Sequence, residues 1–324
     1  MSADKADVIV IGVPKKLIVE GLKAAFNVHV LAEAKNTDAL IAEIGPRIRG
    51  AAVTGAPDKM DGALMARCPR LELVSSFGVG YDNIDVKYAA AHGITVTNTP
   101  DVLNEEVADT ALGLLLCTVR EFHKATNFLR EGKWLQGQYP LSKATLRDRT
   151  VGMVGMGRIG KAIAHRLEAF GVPVVYHSRN PQTGVSYKYY PRLVDMARDV
   201  DTLIVITPGG VATKHLINAQ VLDALGPNGI VINMARGTVI DDAALIKALK
   251  EKKIYGAGLD VFVNEPQVPP EYLALENVTL FPHLGSSTVH TRRKMEQLVV
   301  DNLLAWGAGR PPLTPVPETP PKKH

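Results

Sequence analysis

Cysteine is nearly missing from this chain: Cys68 and Cys117 are the two thiols in 324 residues, and neither sits in a C-x-x-C pair. No disulfide framework is implied, and a reducing compartment fits. His29, His92, His123 and His165 are scattered without paired-ligand spacing, so no metal site is expected. Long apolar runs are missing too. No stretch approaches the roughly eighteen uncharged apolar residues of a membrane helix. No apolar signal segment follows the opening Met1-Ser2-Ala3-Asp4-Lys5-Ala6-Asp7. The expectation is a soluble cytoplasmic protein without a membrane partner. Charge of one sign is not concentrated either. The formal net charge is +4 and there is no long Lys/Arg block, whereas a nucleic-acid binder gathers positive charge into a patch or stripe. A nucleic-acid partner is therefore not expected, and the mild basic balance suits anionic ligands.

What the chain has is length and apolar content. With 324 residues, 46% of them hydrophobic, it can bury large cores, and two domains are favoured over one. Short β-rich runs at residues 7–11, 27–31, 48–54, 71–77 and 95–97 alternate with helix-like apolar spacing at 15–25 and 38–44. This rhythm predicts a small parallel sheet with helices on its faces. Residues 104–129 read as one long helix whose middle, Ala111-Leu112-Gly113-Leu114-Leu115-Leu116-Cys117, is apolar on nearly every side. Such a helix needs extensive cover, from another subunit or from an interdomain core. A second series starts at residue 150, with strands expected at 151–154, 172–176, 202–206, 229–233, 256–260 and 278–281. Helices fit 158–169, 193–196, 218–225, 241–249 and 289–306. The tail Arg310-Pro311-Pro312-Leu313-Thr314-Pro315-Val316-Pro317 is too proline-rich for a helix interior, and either packs locally or frays.

Gly155-Met156-Gly157-Arg158-Ile159-Gly160 follows the strand at 151–154 and opens the helix at 158–169, the context that a dinucleotide-binding turn requires. Gly155 permits the tight turn, Gly157 lets a pyrophosphate approach, and Gly160 lets the helix pack on the strand. The helix then presents unpaired N–H groups to the phosphates. Further on stands His177-Ser178-Arg179-Asn180, where a carboxylate would normally take the adenosine ribose. A hydroxyl and a guanidinium without an acid favour the 2'-phosphate of NADPH, with NADH the weaker cofactor; the plain alternative is an Arg179 that merely faces solvent. Thr207 and Pro208, in the run Thr207-Pro208-Gly209-Gly210, either line the same cleft or form an ordinary turn.

Further blocks follow in a set order: Phe77-Gly78-Val79-Gly80-Tyr81-Asp82-Asn83-Ile84-Asp85, the glycine run above, Asn233-Met234-Ala235-Arg236-Gly237, Gly258-Leu259-Asp260-Val261-Phe262 with Asn264-Glu265-Pro266, and Pro282-His283-Leu284-Gly285-Ser286. On these blocks the chain resembles the D-isomer-specific 2-hydroxyacid dehydrogenase family over nearly its whole length. Within it the chain looks most like glyoxylate/hydroxypyruvate reductases and hydroxyphenylpyruvate reductases, which favour NADPH. The resemblance implies an α/β fold of two Rossmann-like βαβ domains with an interdomain cleft. A flavodoxin-like substrate domain would comprise residues 1–99 and 291–324, and an NAD(P)-binding Rossmann domain residues 100–290. It also implies a homodimer formed through the cofactor domains, with the helix after Asn104 as an interface element.

By the same resemblance, Arg236 is the substrate-binding arginine, suited to clamp a carboxylate and polarise the neighbouring carbonyl. His283 is the proton donor for reduction, and Glu265 the acid that orients it. Val79 and Gly80 present backbone N–H groups to the substrate carboxylate. Asp260 lies close to the nicotinamide or else holds a local turn. Trp134 either reaches a partner subunit's active site or is plain interface, and Ser286 lines the pocket. Singly, Arg236 reads as a surface residue, Glu265 as a loop residue before proline and His283 as a helix cap; as an ordered set they do not. The implied reaction reduces glyoxylate or hydroxypyruvate to glycolate or D-glycerate. Hydroxyphenylpyruvate and 2-ketogluconate offer the same carboxylate–carbonyl handle. The side-group pocket is expected from loops near residues 51–55 and 77–80 and from Trp134. Other readings are an NAD-dependent oxidation of the phosphoglycerate or phosphite type, which Arg179 disfavours, and a nucleotide-sensing corepressor, which the same fold supports.

Overall fold

The computed structural model describes residues 5–55 and 58–321. The chain folds as two compact units, one of Met1–Leu103 with Thr288–His324, the other of Asn104–Ser287.

In the first unit, strands β1 (Asp7–Ile11), β2 (Asn27–Val30), β3 (Ile48–Val53), β4 (Leu73–Ser76) and β5 (Thr95–Thr97) run parallel in the order β2-β1-β3-β4-β5. This is the flavodoxin-like doubly wound order. β1, β3 and β4 are buried at nearly every position, as strands covered on both faces must be. Helices Lys16–Lys23 and Val289–Gly307 pack together, and the second also lies on β4. Ile41, Ile44, Met65 and Ala89, from three other helices, join Ile9, Ala51 and Val74 in one core. Those helices, Thr37–Ile44, Gly62–Ala66 and Val86–Ala91, each start at a polar cap. Asn36, Asp61 and Asp85 accept the amides of Ala39, Leu64 and Tyr88 at 3.0, 2.9 and 2.9 Å.

The proline-rich tail packs locally. Val316 N donates to Val96 O at 2.9 Å, and Thr319 Oγ1 accepts from Val96 N at 2.8 Å, so the tail pairs along the outer side of β5. Fully buried Asn302 ties it down. Its Oδ1 accepts the Leu313 and Thr314 amides at 2.9 and 3.1 Å, and its Nδ2 donates to Leu298 O and Thr314 Oγ1 at 2.8 and 2.9 Å.

The second unit holds seven parallel strands: β6 (Val151–Val154), β7 (Val174–His177), β8 (Lys188–Tyr189), β9 (Thr202–Val205), β10 (Ile230–Asn233), β11 (Gly256–Leu259) and β12 (Val278–Leu280). Their order is β12-β11-β10-β9-β6-β7-β8. Strand order reverses beside β6, and the crevice beyond the carboxyl ends of β6 and β9 is where such sheets take ligands. The expected single helix at 104–129 is two, Asn104–Arg120 and Phe122–Arg130, because Glu121 between them is left-handed with φ 53°. Apolar spacing carries no mark of a one-residue reversal. Cover for the first of these helices comes from its own unit. It packs against helix Arg158–Ala169 and against β10, β11 and β12, burying Ala108, Ala111, Leu114, Leu115 and Thr118. Among the described residues, no helix is long and apolar enough to cross a membrane.

Replacing Asn302 with Ala removes its tail contacts and leaves the part-buried Leu313 and Thr314 amides without their acceptor. A loss of about 2–4 kcal/mol is expected from such unpaired groups, measured by urea unfolding, with faster amide exchange at Val96 and Val316.

Candidate active site

β6 ends at Val154 and the chain turns through Gly155, whose φ is 107°; a Cβ there would stand 2.8 Å from Ile206 O on the next strand's exit. Gly155 N also donates to His177 O at 2.8 Å, which ties the turn to the end of β7. Helix Arg158–Ala169 starts at Gly157 with no side chain capping it, and nothing lies within 4 Å of where a Gly157 Cβ would project. Open space meets uncapped helix amides there, which fits a pyrophosphate. Gly160 lies hard against the turn, and Met156 is buried while Arg158 is exposed and Ile159 half-buried. Beyond β9, Thr207 Oγ1 is buried and has no partner among the described residues, a polar atom that a bound ligand can satisfy. Pro208 O accepts from Thr213 Oγ1 at 2.7 Å and fixes that loop.

Ser178 and Arg179 directly follow β7. Ser178 Oγ donates to Asn180 O at 2.7 Å, and Arg179 is exposed. No carboxylate occupies the strand-end position itself, so its charge suits a phosphate.

The exits of β10, β11 and β12 carry the remaining chemistry. At the end of β10, buried Asn233 braces the loop: Oδ1 accepts from Ala235 N and Nδ2 donates to Arg236 O, both at 3.0 Å. Arg236 itself is half-buried and its Nη1 donates to Ala235 O at 2.8 Å. A Cβ at Gly237 would fall 2.0 Å from Phe262 C and 2.2 Å from Val263 N. Backbone therefore lies directly on backbone, and the Arg236 loop is seated against the loop that bears Glu265.

Glu265 Oε1 accepts from Phe262 N at 3.0 Å, and Oε2 lies 2.7 Å from His283 Nδ1. Burial opposes its charge, but the His283 contact, the Phe262 amide and the nearby Arg236 charge outweigh burial and hold the carboxyl below its ordinary value. His283 has φ 53°, a conformation that a bulky side chain keeps only when its surroundings impose it. Asp260 imposes it. Its backbone O accepts from His283 N at 2.8 Å, and its buried carboxylate accepts the Leu284 and Gly285 amides at 2.5 and 3.0 Å. Burial pushes the Asp260 carboxyl up, against the pull of those two amides. This geometry gives Asp260 the turn-holding role. The bracing by Asn233 was not read from the sequence; its signal is an asparagine at a strand end three residues before the arginine.

In the first unit, Val79 and Gly80 follow β4 and Phe77. Val79 O accepts from Asn98 Nδ2 at 2.9 Å, while among the described residues neither the Val79 nor the Gly80 amide has an acceptor. Ser286 is buried in the second unit three residues beyond His283. Trp134 is 65% exposed in the short helix Lys133–Leu135 and is not brought beside Arg236, Glu265 or His283 by any recorded contact.

The chain is similar to several known proteins. The family model described as D-isomer specific 2-hydroxyacid dehydrogenase, NAD binding domain, matches residues 112–285. A glyoxylate/hydroxypyruvate reductase A from Arabidopsis thaliana is 49% identical over 266 residues, 82% of this chain and 85% of the relative. A hydroxyphenylpyruvate reductase from Plectranthus scutellarioides is 46% identical over 79% of this chain and 82% of its own. Among solved structures, the NADPH-dependent glyoxylate/hydroxypyruvate reductase of Sinorhizobium meliloti, in complex with NADP and malonate, is 50% identical with a TM-score of 0.94, covering 99% of each chain.

Two outcomes follow from the geometry. Gly237→Ala should push the Arg236 loop off the Glu265 loop and lower kcat by about tenfold to a hundredfold, the cost of a displacement near 1 Å, in steady-state assays. Glu265→Gln should be about 1–3 kcal/mol less stable than the parent at pH 7, as expected for losing a charge-assisted bond. A depressed carboxyl stabilises the fold fully above its unfolded value, here 4.5, and loses that contribution as pH falls through the folded value. The gap between the two proteins should therefore close below pH 4.5 in acid-unfolding curves.

Proposed function

This chain belongs to the D-isomer-specific 2-hydroxyacid dehydrogenase family, and on that premise we propose that it reduces small 2-oxo acids, glyoxylate and hydroxypyruvate foremost, to 2-hydroxy acids with NADPH. The observation that carries the reading is the 2.7 Å contact of His283 Nδ1 with Glu265 Oε2. With Nδ1 held there, Nε2 is the nitrogen left to face a substrate oxygen. NADPH, when bound, supplies the hydride that reaches the carbonyl carbon. Arg236 grips the substrate carboxylate and draws electron density from the adjacent carbonyl. Protonated His283 gives its Nε2 proton to the carbonyl oxygen as negative charge develops there, and Glu265 balances the imidazolium beforehand. One hydride and one proton are added, and glyoxylate becomes glycolate or hydroxypyruvate becomes D-glycerate.

The unit of Asn104–Ser287 serves as the cofactor domain and the unit built from both chain ends as the substrate domain. Support for NADPH over NADH is Arg179 after β7, together with the NADP complex of the Sinorhizobium relative. A homodimer is supported by the exposed apolar side chains Phe122, Leu129, Trp134, Leu135 and Leu141, all within one stretch of twenty residues. Trp134 then reaches toward the partner subunit. A cytoplasmic location accords with two free cysteines and no disulfide.

Initial rates of NADPH and NADH oxidation with glyoxylate, hydroxypyruvate and hydroxyphenylpyruvate test this reading. NADPH should be preferred, and His283→Ala should lower kcat by about 10²–10⁴-fold, the usual share of general acid catalysis. Arg179→Ala should lower kcat/KM for NADPH by about tenfold to a hundredfold, the worth of one or two charge-assisted phosphate contacts, with little change for NADH. Cofactor binding without turnover of any 2-oxo acid would overturn the assignment.

A further inference from the structure

Strand β7 ends at His177, and the next two residues, Ser178 and Arg179, carry the donors that suit the cofactor's 2'-phosphate. A chain leaving a strand has no ladder to fix its direction. The aim of these two residues therefore depends on what holds the segment 178–187 before β8 begins. Two tyrosines hold it. Tyr176 of β7 and Tyr189 of β8 are register partners on neighbouring parallel strands, and their ring centroids stand 5.3 Å apart. Tyr189 Oη donates to Ser178 O at 3.2 Å, while Oη of buried Tyr176 accepts from Gln182 N at 3.0 Å. Between these two pins, Asn180 O accepts from Ser178 Oγ at 2.7 Å and from Gln182 Nε2 at 3.2 Å. Short as it is, β8 is fastened to its neighbour. Tyr190 N donates to Tyr176 O at 2.8 Å, and His177 Nδ1 lies 2.9 Å from Tyr190 O.

A trans peptide points its C=O and its N–H in opposite directions. The Tyr189 bond to Ser178 O therefore turns the Arg179 N–H to the side away from the Tyr189 hydroxyl. Neither that amide nor the exposed Arg179 guanidinium has a partner among the described residues. We propose that Tyr189 is a specificity-determining positioning residue: by holding Ser178 O, it aims the Arg179 amide and guanidinium together at the 2'-phosphate of NADPH. The inference deepens the NADPH reading and rests on it. A phosphate monoester accepts both donors at once, whereas the 2'-hydroxyl of NADH brings no charge to them. Because the segment is held at both ends before a ligand arrives, little ordering remains to oppose binding.

The test measures binding without turnover. Titration calorimetry on the full-length protein compares adenosine 2',5'-bisphosphate with 5'-AMP, two nucleotides that differ only in the 2'-phosphate. Tyr189→Phe keeps the ring and removes the hydroxyl. It should weaken the bisphosphate about threefold to tenfold, the share of one neutral hydrogen bond, and leave 5'-AMP unchanged. The effect passes through Arg179, so it should be smaller in the Arg179→Ala background, where only the amide remains to be aimed. In steady-state rates the loss should appear in KM for NADPH rather than in kcat. Tyr176→Phe takes the acceptor from Gln182 N and should shift the nucleotide ratio the same way, a second variant should Tyr189→Phe fail to fold. Equal losses on both nucleotides, an unchanged ratio, or an undiminished effect in Arg179→Ala would overturn the role of Tyr189 and leave the NADPH reading standing. If the parent binds the two nucleotides alike, the NADPH reading fails and this inference with it.

Discussion

One buried carboxylate sets the geometry on which the second unit's chemistry depends. Asp260 leaves the end of β11 with both oxygens turned onto the Leu284 and Gly285 amides and its backbone oxygen onto His283 N. A loop coming off β12 has no ladder to follow, and its first amides would otherwise need water. Burying a charge to catch them is costly, and burial does push the Asp260 carboxyl upward. The three backbone contacts offset that cost and fix His283 in a left-handed conformation that its own side chain disfavours. Without this brace, Glu265 would have no imidazole at a defined distance to orient.

The same logic recurs at each strand exit. Asn233 holds the Arg236 loop by its own side-chain amide, and Gly237 lets that loop lie directly on Phe262 and Val263. Glu265 is in turn anchored by the Phe262 amide. Each reactive residue is thus held through backbone groups: Arg236 by its own carbonyl and the seating of Gly237, Glu265 by the Phe262 amide, and His283 by its own amide and those of Leu284 and Gly285. Side chains held in this way lose little further freedom when a ligand arrives, which is the physical content of a preorganised site.

Much of this was legible beforehand, and the limits have physical causes. β1 and β5 were read to the residue, and the helix at 158–169 likewise, because apolar runs bounded by glycine or polar residues leave little choice of register. Strands such as β4 and β7 were read one or two residues off, since a buried flank looks like a buried strand. The helix expected at 104–129 broke at Glu121, where a single positive φ reverses the chain without changing its composition. β8, two residues long, is too short to show any alternation. Residues with chemistry were visible as types in an order. Their partners were not: the contacts of Asp260 with the 284–285 amides link positions that only the tertiary fold brings together.

The first unit is discontinuous in the chain, and this bears on the order in which the protein is made. Its five strands are all present by residue 97, yet Val299, Val300 and Leu303, which cover the sheet beside β4, lie in the helix Val289–Gly307. During synthesis, the intervening unit of Asn104–Ser287 is complete before that helix has left the ribosome. The usual sequence, in which the amino-terminal domain finishes first, is inverted here. For the time needed to translate about two hundred residues, some ten to forty seconds at ordinary elongation rates, the part of the nascent sheet beside β4 that these residues cover has no permanent cover.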